Sequence, residues 1–464
     1  MRYVTLAPRY RLRGWRDMRC GLLDLERVSE DKLKVVPLTK KQQETVELLT
    51  APGVSIDDPL IPPLMARAGQ KLLEQGFLQE CAREEGLSPE QAYRYADTNL
   101  AQALVWGITG NCNLRCRHCY ISGGDGAYGE PTMAQCEDIV RQMKDANIYM
   151  VSLTGGEPLV RRDFWEFLDM LNDNGIKVDA IFSNGVLLTD ECLAKLEAHR
   201  VRASDFLLSF DGAGTHDWMR GVPGAEKKLV AAIRRLKEAG YGVIVSTVLC
   251  RQNLDRLLPT YELLRDLQVD FWRMSEVANV GEWLKNENTR LDPDELLEAY
   301  LQLIRKIKAD GMPIPQIHVG GLMCVEHGEY RFGALGGCGS ADKVGELVCE
   351  AGKYFPMLLP DGRLLPCMPC CGTSLEEQAP NVLTGEYDIC RALADSPVTQ
   401  CLNCTYSDVF AHESECAACE HRYECSRCPA TSLQHGSIYA RDTFICRIMK
   451  GGYMERVRQI MESD

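Results

Sequence analysis

Between residues 104 and 275, short apolar runs alternate with longer segments whose apolar positions recur at helical spacing. A short apolar run bounded by turn residues is typical of a buried strand, and an apolar stripe at i, i+3 and i+4 is typical of a helix. The predicted strands are Leu104–Thr109, Met150–Thr154, Val178–Ser183, Phe206–Phe210, Val243–Leu249 and Phe271–Met274. The predicted helices are Met133–Ala146, Asp163–Asn174, Asp190–Ala198, Ala225–Ala239, Asn253–Leu267 and Pro293–Ala309. Six strand–helix units in order predict an α/β fold, a partial (β/α)6 TIM-like barrel with its helices outside.

The segment before the barrel, residues 1–97, has a different pattern. Short strand-like runs at 3–6, 21–25 and 33–36 precede two helical patterns at Lys40–Leu49 and Pro63–Cys81. This order predicts a small winged-helix-like α+β domain, and residues 88–101 are interpreted as a linker. Six arginines and one aspartate fall in the first twenty residues, a basic edge that charge alone explains as a solvated surface.

The third segment, residues 316–464, is rich in cysteine and shows little helical periodicity before an amphipathic helix predicted at Arg447–Glu462. A segment with so small an apolar core is expected to depend on bound metal. The predicted domains are therefore 1–97, 98–315 and 316–464.

Composition narrows the class of protein. The chain has 464 residues, 45% of them hydrophobic and 25% charged, which is ordinary for a soluble globular protein. Its net charge of −14 argues against general binding of nucleic acid or anionic membrane. No apolar run approaches a membrane span of about 18 residues, and the first residues lack the apolar core of a secretory signal. We therefore expect a cytoplasmic protein that binds neither membrane nor nucleic acid.

Cysteine is the unusual residue, with 22 copies, and its spacing indicates metal ligation rather than disulfides. Cys112, Cys116 and Cys119 directly follow the first barrel strand. Three thiolates leave one iron of a four-iron cluster open to a substrate or cofactor. The alternative is a zinc site in which His118 supplies a fourth ligand.

Other chemically distinctive residues also follow barrel strands, where the loops of such folds carry the chemistry. They are Gly155, Gly156, Glu157 and Pro158 after the second strand, Ser183 and Asn184 after the third, and Ser209 and Asp211 at the fourth. Together with the cysteine triplet, these motifs resemble the radical S-adenosylmethionine (SAM) superfamily. The resemblance implies a [4Fe–4S] cluster on the three cysteines, whose open iron chelates the methionyl amine and carboxylate of SAM. Reductive cleavage of SAM then yields a 5′-deoxyadenosyl radical that abstracts hydrogen.

The same resemblance implies roles for single residues. The Gly155–Pro158 turn would contact the SAM amino group, and Ser183 and Asn184 the ribose and carboxylate. Ser209, Asp211 and Arg220 would complete the fourth-strand motif. Tyr120, directly after the third cysteine, is also expected to contact the cofactor. These carry-overs cover about residues 102–275.

The C-terminal cysteines form a second pattern, which resembles the SPASM extension of radical SAM enzymes. Cys349 and Cys367 flank Gly362 at family spacing, and a CxxC–CxxC run and a final cysteine follow. The resemblance implies two auxiliary [4Fe–4S] clusters, three clusters in all. The first would use Cys349, Cys367 and Cys428, with Cys338 as a fourth ligand. The second would use Cys416, Cys419, Cys425 and Cys446.

Some readings of this region stay open. The last gap, Cys425 to Cys428, contains two residues where the family has three. A zinc ribbon has similar pair spacing. Cys401 and Cys404 fit either a ligand pair or two ordinary thiols. Cys370 and Cys371 fit either loop cysteines or hydrogen-atom donors to a substrate radical.

An N-terminal module before a radical barrel and a SPASM field resembles maturases of ribosomally made peptides (RiPPs). This implies an oxidoreductase that docks the leader of a precursor peptide, abstracts hydrogen from a core residue and forms a thioether or other cross-link. The expected electron donor is a flavodoxin or ferredoxin. Alternatives are peptide epimerisation, a small-molecule reaction, and sulfatase-type protein oxidation, which usually has aspartate where Met368 stands. A different class is a non-catalytic iron–sulfur sensor or electron carrier.

Overall fold

A computed structural model describes residues 1–29, 32–199, 205–286, 291–333, 344–349, 355–422, 425 and 427–463. The N-terminal part is α+β, with strands and helices in separate runs. Its elements are β1 (Tyr3–Leu6), β2 (Tyr10–Gly14), β3 (Gly21–Ser29), β4 (Lys32–Pro37), α1 (Lys40–Leu49), α2 (Pro63–Glu74), β5 (Leu78–Cys81) and β6 (Arg94–Tyr95). They form a four-stranded sheet, β4-β3-β2-β6, and a two-stranded sheet, β1-β5, around a small core of their own.

Two N-terminal predictions were wrong. The helix predicted to reach Cys81 ends at Glu74, because Gly76 takes a left-handed φ of 74° and turns the chain into β5, which pairs with β1. The predicted linker 88–101 contributes β6 and buries Ala96 against the rest of the protein. Strand β2 was missed because its alternate positions are arginines, one of which, Arg13, is fully buried.

The central feature is an eleven-stranded sheet whose first six strands along the chain are the predicted barrel strands. These are β7 (Leu104–Gly107), β8 (Met150–Thr154), β9 (Lys177–Ser183), β10 (Asp205–Ser209), β11 (Gly242–Leu249) and β12 (Phe271–Glu276). All six are parallel and adjacent in chain order. The predicted α/β fold with a partial barrel is confirmed.

The sheet extends beyond these six strands at both ends. At one end β13 (Gln316–Val319) pairs parallel with β12, and β14 (Met323–Glu326) and β15 (Glu329–Phe332) continue antiparallel. At the other end β16 (Met357–Leu358) pairs parallel with β7, and β17 (Leu364–Leu365) follows antiparallel. The C-terminal part of the chain therefore completes the edge at which the barrel begins.

The helices on the outer face bury the main core. They are α3 (Met133–Asp145), α4 (Phe164–Asp173), α5 (Asp190–Ala198), α6 (His216–Arg220), α7 (Ala225–Glu238), α8 (Leu257–Asp266) and α9 (Pro293–Ala309). Caps explain several of the starts: Thr132 forms a capping box with Gln135, and Asp292 accepts from the Asp294 N–H ahead of α9. Alternate residues of the inner strands, such as Trp272 and Met274, pack beneath these helices.

The C-terminal region consists of short helices. They are α10 (Ser374–Glu377), α11 (Ile389–Asp395), α12 (Pro397–Gln400), α13 (Tyr406–His412), α14 (Ser414–Ala417), α15 (Pro429–Ser432), α16 (Thr443–Lys450) and α17 (Tyr453–Glu462). The single helix predicted at Arg447–Glu462 is two helices, because the chain breaks at Gly451 and Gly452, the latter at φ 72°. In the part of the chain that the structure describes, no helix combines the length and apolar character needed to cross a membrane.

The N-terminal part is fastened to the barrel by a buried arginine. The Arg13 guanidinium donates to the Tyr149 hydroxyl at 2.7 and 3.1 Å and to the carbonyls of Leu12, Ala92 and Glu90. The side-chain amide of Asn147 donates hydrogen bonds to the Gly14 and Arg94 carbonyls. A fully buried cation held by this many acceptors fixes the orientation of the N-terminal sheet on the barrel.

Candidate active site

The loop that carries Cys112, Cys116 and Cys119 leaves the C-terminal end of β7 and is held by backbone bonds to neighbouring loops. The Arg115 and Arg117 N–H groups donate to the Arg220 and Met219 carbonyls at 3.1 and 2.9 Å. These bonds place the cysteine loop against α6, at the edge of the sheet where the barrel strands end.

Each of the three thiols accepts a hydrogen bond. The Leu114 N–H approaches Cys112 Sγ at 3.4 Å, the Gly123 N–H approaches Cys119 Sγ at 3.3 Å, and Arg220 Nη1 approaches Cys116 Sγ at 3.4 Å. Such N–H donors stabilise sulfur in its anionic, metal-bound form. The donor set of three thiols with N–H partners therefore fits an iron–sulfur cluster.

Two glycines let the loop after β8 lie directly on the cysteine loop. Gly155 has a φ of 141°, and a Cβ there would lie 2.3 Å from the Thr109 carbonyl oxygen. A Cβ on Gly156 would lie 2.1 Å from the Asn111 carbonyl oxygen. The Gly156 N–H bonds the first of these oxygens at 2.8 Å, so any larger residue would push the two loops apart.

Glu157 is fully buried directly after these glycines. Its carboxylate accepts from the Ser183 hydroxyl at 2.9 Å and from the backbone N–H groups of Asn184 at 2.7 Å and Leu159 at 3.3 Å. Burial raises the pKa of the Glu157 carboxyl to about 7, although these three donors favour the charged form. A buried carboxyl with this pKa is suited to an ammonium ligand, which would restore its charge.

Asp211 and Arg220 form a second buried charge pair, with Asp211 Oδ2 2.7 Å from Arg220 Nε. Burial opposes ionisation of Asp211, but Arg220, His118 and His216 together lower the pKa of its carboxyl below the ordinary value. Burial lowers the pKa of the His118 imidazole to about 4 and of the His216 imidazole to about 3. The ion pair thus joins the fourth strand to the cysteine loop, because Arg220 also contacts Cys116.

The remaining sequence-predicted residues lie around the same edge. Pro158 begins a single 3-10 turn, Ser209 ends β10, and Tyr120 packs with the apolar cluster that lines the inner side of β7. Asn184 donates from Nδ2 to Asn113 Oδ1 at 2.7 Å, which ties the third-strand loop to the cysteine loop. Sequence analysis missed Asn113, and its position inside the cysteine motif was the available signal.

Four C-terminal cysteines line one cavity. Cys416, Cys419, Cys425 and Cys446 come from α14, the turns after it and α16, and Arg427 contacts Cys416 Sγ at 3.7 Å. Burial, together with the other three cysteines of the cavity, raises the pKa of the Cys425 thiol to about 12. The structure thus brings together all four residues of the second predicted auxiliary set.

The first predicted auxiliary set is more spread out. Cys367 contributes to the raised pKa of the Cys428 thiol, so these two cysteines are near each other. The Cys367 Sγ is 3.7 Å from the Cys370 Sγ. Cys401 also lies near Cys367, and the Cys404 carbonyl accepts from the N–H of Val348, beside Cys349. Cys338 lies outside the described residues. The structure therefore adds Cys370 and Cys401 to the neighbourhood of Cys367.

Among the residues that the structure describes, no three Cys, His, Asp or Glu side chains are grouped as the ligands of one metal ion.

Burial raises the pKa of the Cys112 thiol to about 12, so the metal-free thiol is protonated at neutral pH. Binding of a cluster must therefore release protons from these cysteines.

Residues 106–264, which include this site, match the family described as the Radical SAM superfamily. This segment of the chain is a radical SAM domain. This class of enzyme binds a [4Fe–4S] cluster and SAM, and the three hydrogen-bonded thiols and the buried Glu157 fit these two groups.

The curated relatives of the chain have more than one named activity. The chain is 24% identical over 367 residues to an AdoMet-dependent heme synthase of Methanosarcina barkeri, an alignment that covers 76% of this chain and 97% of that protein. It is 38% identical over 160 residues to the mycofactocin maturase MftC of Mycolicibacterium smegmatis. That second alignment covers 33% of this chain and only 39% of MftC.

Among solved structures, the fold is similar to that of SuiB of Streptococcus suis, crystallised with its precursor peptide SuiA. The TM-score is 0.63 at 16% identity, and the superposition covers 96% of this chain and all of SuiB. The likeness therefore includes the N-terminal part and the cysteine-rich part as well as the barrel.

Proposed function

We propose that the chain is a maturase of a ribosomally made precursor peptide and that it cross-links a core residue of that peptide. The observation that carries the proposal is the extent of the likeness to SuiB, which covers 96% of this chain and was solved with a precursor peptide bound. The partial match to a mycofactocin maturase supports the same class. In this proposal the predicted domains are a leader-binding region at 1–97, a radical SAM barrel at 98–315 and a SPASM region at 316–464.

In this proposal each group of site residues has its own role. Cys112, Cys116 and Cys119 would hold the cluster, which together with SAM supplies the 5′-deoxyadenosyl radical. Glu157 would accept the SAM ammonium, and Ser183 and Asn184 would orient Glu157 while facing the ribose and carboxylate. The Asp211–Arg220 pair would keep the fourth-strand loop against the cysteine loop, since Arg220 also contacts the Cys116 thiol.

The cross-linking step balances as an oxidation. One hydrogen atom leaves a substrate carbon for the 5′-deoxyadenosyl radical, which becomes 5′-deoxyadenosine. The carbon radical then bonds to a sulfur, carbon or oxygen of the peptide, which gives up a proton, and one electron leaves the substrate. We propose that the auxiliary clusters accept this electron, one on Cys416, Cys419, Cys425 and Cys446 and one on Cys349, Cys367, Cys428 and Cys338.

A reductant must recharge the first cluster, and we propose a flavodoxin or ferredoxin for this role. Arg117 is exposed beside Cys116 and offers positive charge there, whereas the exposed Arg115 is paired with Asp125 at 3.1 Å. The donor can be identified by comparing 5′-deoxyadenosine formation with each reduced carrier against formation with a chemical reductant.

The test is the mass of a product. Any short peptide found to be encoded next to the gene of this chain is incubated with reconstituted enzyme, SAM and reductant under anoxia. We expect a loss of two hydrogens per event and one 5′-deoxyadenosine per event, and neither should occur with a leaderless core peptide. Formation of 5′-deoxyadenosine without any change to the peptide, or a product only from a tetrapyrrole carboxylate, would contradict the proposal.

A second candidate, epimerisation of an amino-acid centre, is favoured by one observation. Cys371 is 3% exposed and belongs to the apolar cluster that Tyr120 also joins, beside the cysteine loop. A thiol there could return a hydrogen atom to the opposite face of a carbon radical, which leaves the substrate mass unchanged. The thiyl radical left on Cys371 would be returned to the thiol by one electron from a reduced auxiliary cluster and one proton. A peptide mass that is unchanged in H2O and raised by one unit in D2O, with the deuterium lost in Cys371→Ala, would favour epimerisation over cross-linking.

A further inference from the structure

Among the residues that the structure describes, the inner face of the barrel is covered over one half and open over the other. Over β7 and β16 it carries a packed apolar cluster that includes Val105, Met357 and Leu365. Over β11, β12 and β13 the inward positions alternate with residues of the outer core and are only partly buried. These inward side chains include Ser246, Phe271, Arg273, Gln316 and His318.

Three of these residues form one row across the open half. Ser246 pairs in register with Arg273, and Arg273 pairs in register with His318, so their side chains project from the same face. Ser246 is also in register with Ser209, at the end of β10. Because neighbouring strands are about 4.8 Å apart, Arg273 lies about 10 Å from Ser209 across the open half of the barrel.

The Arg273 guanidinium makes no hydrogen bond or ion pair with any residue that the structure describes. Burial lowers its pKa, and no described carboxylate counteracts this effect. An arginine nevertheless stays charged in proteins. Glu326, on β14, is a carboxylate on the same inner face, and it is already paired with Arg331 at 2.6 Å. A partly buried cation that no described anion pairs is stabilised by a ligand that supplies one.

The neighbours of Arg273 shape a site rather than neutralise the charge. The ring centroids of His318 and Phe271 are 4.5 Å apart at 65°, an edge-to-face contact that fixes both rings. Burial, with smaller contributions from Arg273 and Arg331 and against the effect of Glu326, lowers the pKa of the His318 imidazole to about 4, so His318 is neutral at physiological pH. Gln316 Nε2 lies 3.4 Å from His318 Nε2, which holds the imidazole from the other side.

We propose that Arg273 binds a carboxylate of the substrate on the open half of the barrel and so orients the substrate toward the radical site. A guanidinium offers two parallel N–H donors that match the two oxygens of a carboxylate. The SAM carboxylate is a poor candidate, since Asn184 follows β9, three strands or about 14 Å away. This inference rests on the proposed function in one respect: a peptide substrate supplies the carboxylate from an acidic side chain or from its C-terminus.

The experiment measures binding to holoenzyme reconstituted with cluster and SAM under anoxia, by equilibrium dialysis of labelled probes. The peptide probes are an amidated pentapeptide with a central Glu, the same peptide with Gln, and an alanine pentapeptide with a free or an amidated C-terminus. Glutarate and glutaramide form a pair without a peptide bond. The variants are Arg273→Gln, Arg273→Lys and, as a matched control, Arg305→Gln on the outer helix α9.

We expect the wild type to prefer one carboxylate probe over its amide by about tenfold or more, in line with a charge-assisted bidentate contact. Arg273→Gln should lose this preference, Arg273→Lys should keep part of it, and Arg305→Gln should keep all of it. The probe pair that shows the preference identifies the source, an acidic side chain or a chain terminus.

No preference in the wild type, or a preference that survives in Arg273→Gln, would overturn the inference. If Arg273→Gln does not retain its cluster absorbance, the wild-type preference and the Arg273→Lys variant still decide the matter. Arg273-dependent binding of glutarate without binding of any peptide would support the carboxylate site and count against a peptide substrate. Cross-linking of a precursor by an enzyme without carboxylate preference would refute the inference alone.

Discussion

The cysteine loop at 112–119 and the cysteine field at 344–463 are built in different ways. The loop stands on a parallel sheet with a large core. Each of its thiols accepts from an N–H donor, one within the loop, one directly after it and one on α6. Apart from the two-residue strands β16 and β17, the regular elements described in the field are short helices, the α-helices among them of four to ten residues. Its four-cysteine cavity is lined by residues of short helices and turns.

This difference indicates which region depends on its metal. A barrel that buries whole apolar strands beneath helices is stable without a cofactor and holds the loop in place in advance. Short helices in water are marginal, and cysteines that converge from several turns gain their order from the bound metal. We therefore expect the barrel to fold without bound iron and the cysteine field to require bound iron for its ordered structure.

The largest expected effect is on the loop. Cys119→Ala should lower 5′-deoxyadenosine formation by about 100-fold or more, since loss of a ligand exceeds the 10–100-fold cost of outer-shell changes. The fold should remain, because the barrel core does not include this residue. Cys81→Ala, a thiol in the N-terminal part, is the control. The measurement is product per cluster, by chromatography, and a variant that keeps wild-type turnover would refute the assignment.

The second prediction tests the field. Removal of iron by a chelator under reducing conditions should raise amide hydrogen exchange across 405–450 by about tenfold or more, because local stability there depends on metal. Strands β8 to β11 should keep their protection. Exchange followed by mass spectrometry compares both regions in one sample. Equal protection in the field with and without iron would remove the proposed difference.

The third prediction concerns how the loop side of the site binds SAM at different pH. Burial raises the pKa of Glu157 to about 7 from its ordinary value, so in the SAM-free protein its carboxyl is largely neutral at pH 6 and largely charged at pH 8. An ammonium ligand prefers the charged form, and SAM should therefore bind about tenfold more tightly at pH 8 than at pH 6 through this group.

The Glu157→Gln variant isolates that dependence, since SAM titrates identically in both proteins. Calorimetry at the two pH values should show weaker binding and a smaller pH effect in the variant. The effect of this pKa on folding stability has the opposite pH dependence to its effect on SAM binding. A raised carboxyl pKa contributes stability below the unfolded value of about 4.5, and this is lost as pH rises through about 7. A variant with the wild-type pH dependence would rule out Glu157 as the titrating group.

The smallest effect is expected at the seam between the N-terminal sheet and the barrel. Tyr149→Phe removes a hydroxyl acceptor from the buried Arg13 while three carbonyls remain, so the free energy of unfolding should fall by about 1 kcal/mol. Tyr95→Phe, with 48% of the side chain exposed, is the matched control. Urea unfolding measures both, and an equal effect in the two variants would contradict a special role for the Arg13 contact.

The periodic part of the fold was predictable because its signals are local. All six barrel strands were found from short apolar runs, and α9 has the predicted bounds because Asp292 caps it and Pro293 starts it. Strands β16 and β17 have two residues each and exist through pairing with β7 and with each other, which no local pattern indicates. The buried Arg13 was hidden for a related reason, since its acceptors come from distant segments.

The site was predictable to the level of its motifs and not of its contacts. The spacing of Cys112, Cys116 and Cys119 and the Gly-Gly-Glu-Pro turn pointed to the correct superfamily. The approach of Cys370 and Cys401 to Cys367 depends on how separate turns meet in space. The open inner face at Arg273 follows from which half of the sheet the C-terminal region covers, and that is a property of the whole chain.

The pairing of Met357 with Val105 has a consequence for how the polypeptide matures on the ribosome. Strand β7 is synthesised about 250 residues before the segment that covers its outer edge, so that edge faces solvent through most of translation. An unprotected strand edge beside an apolar face is a site for wrong pairing with other chains. Late closure over so long a sequence separation also slows folding. Heterologous production should therefore give more native protein when few chains are made at once and chaperones are abundant.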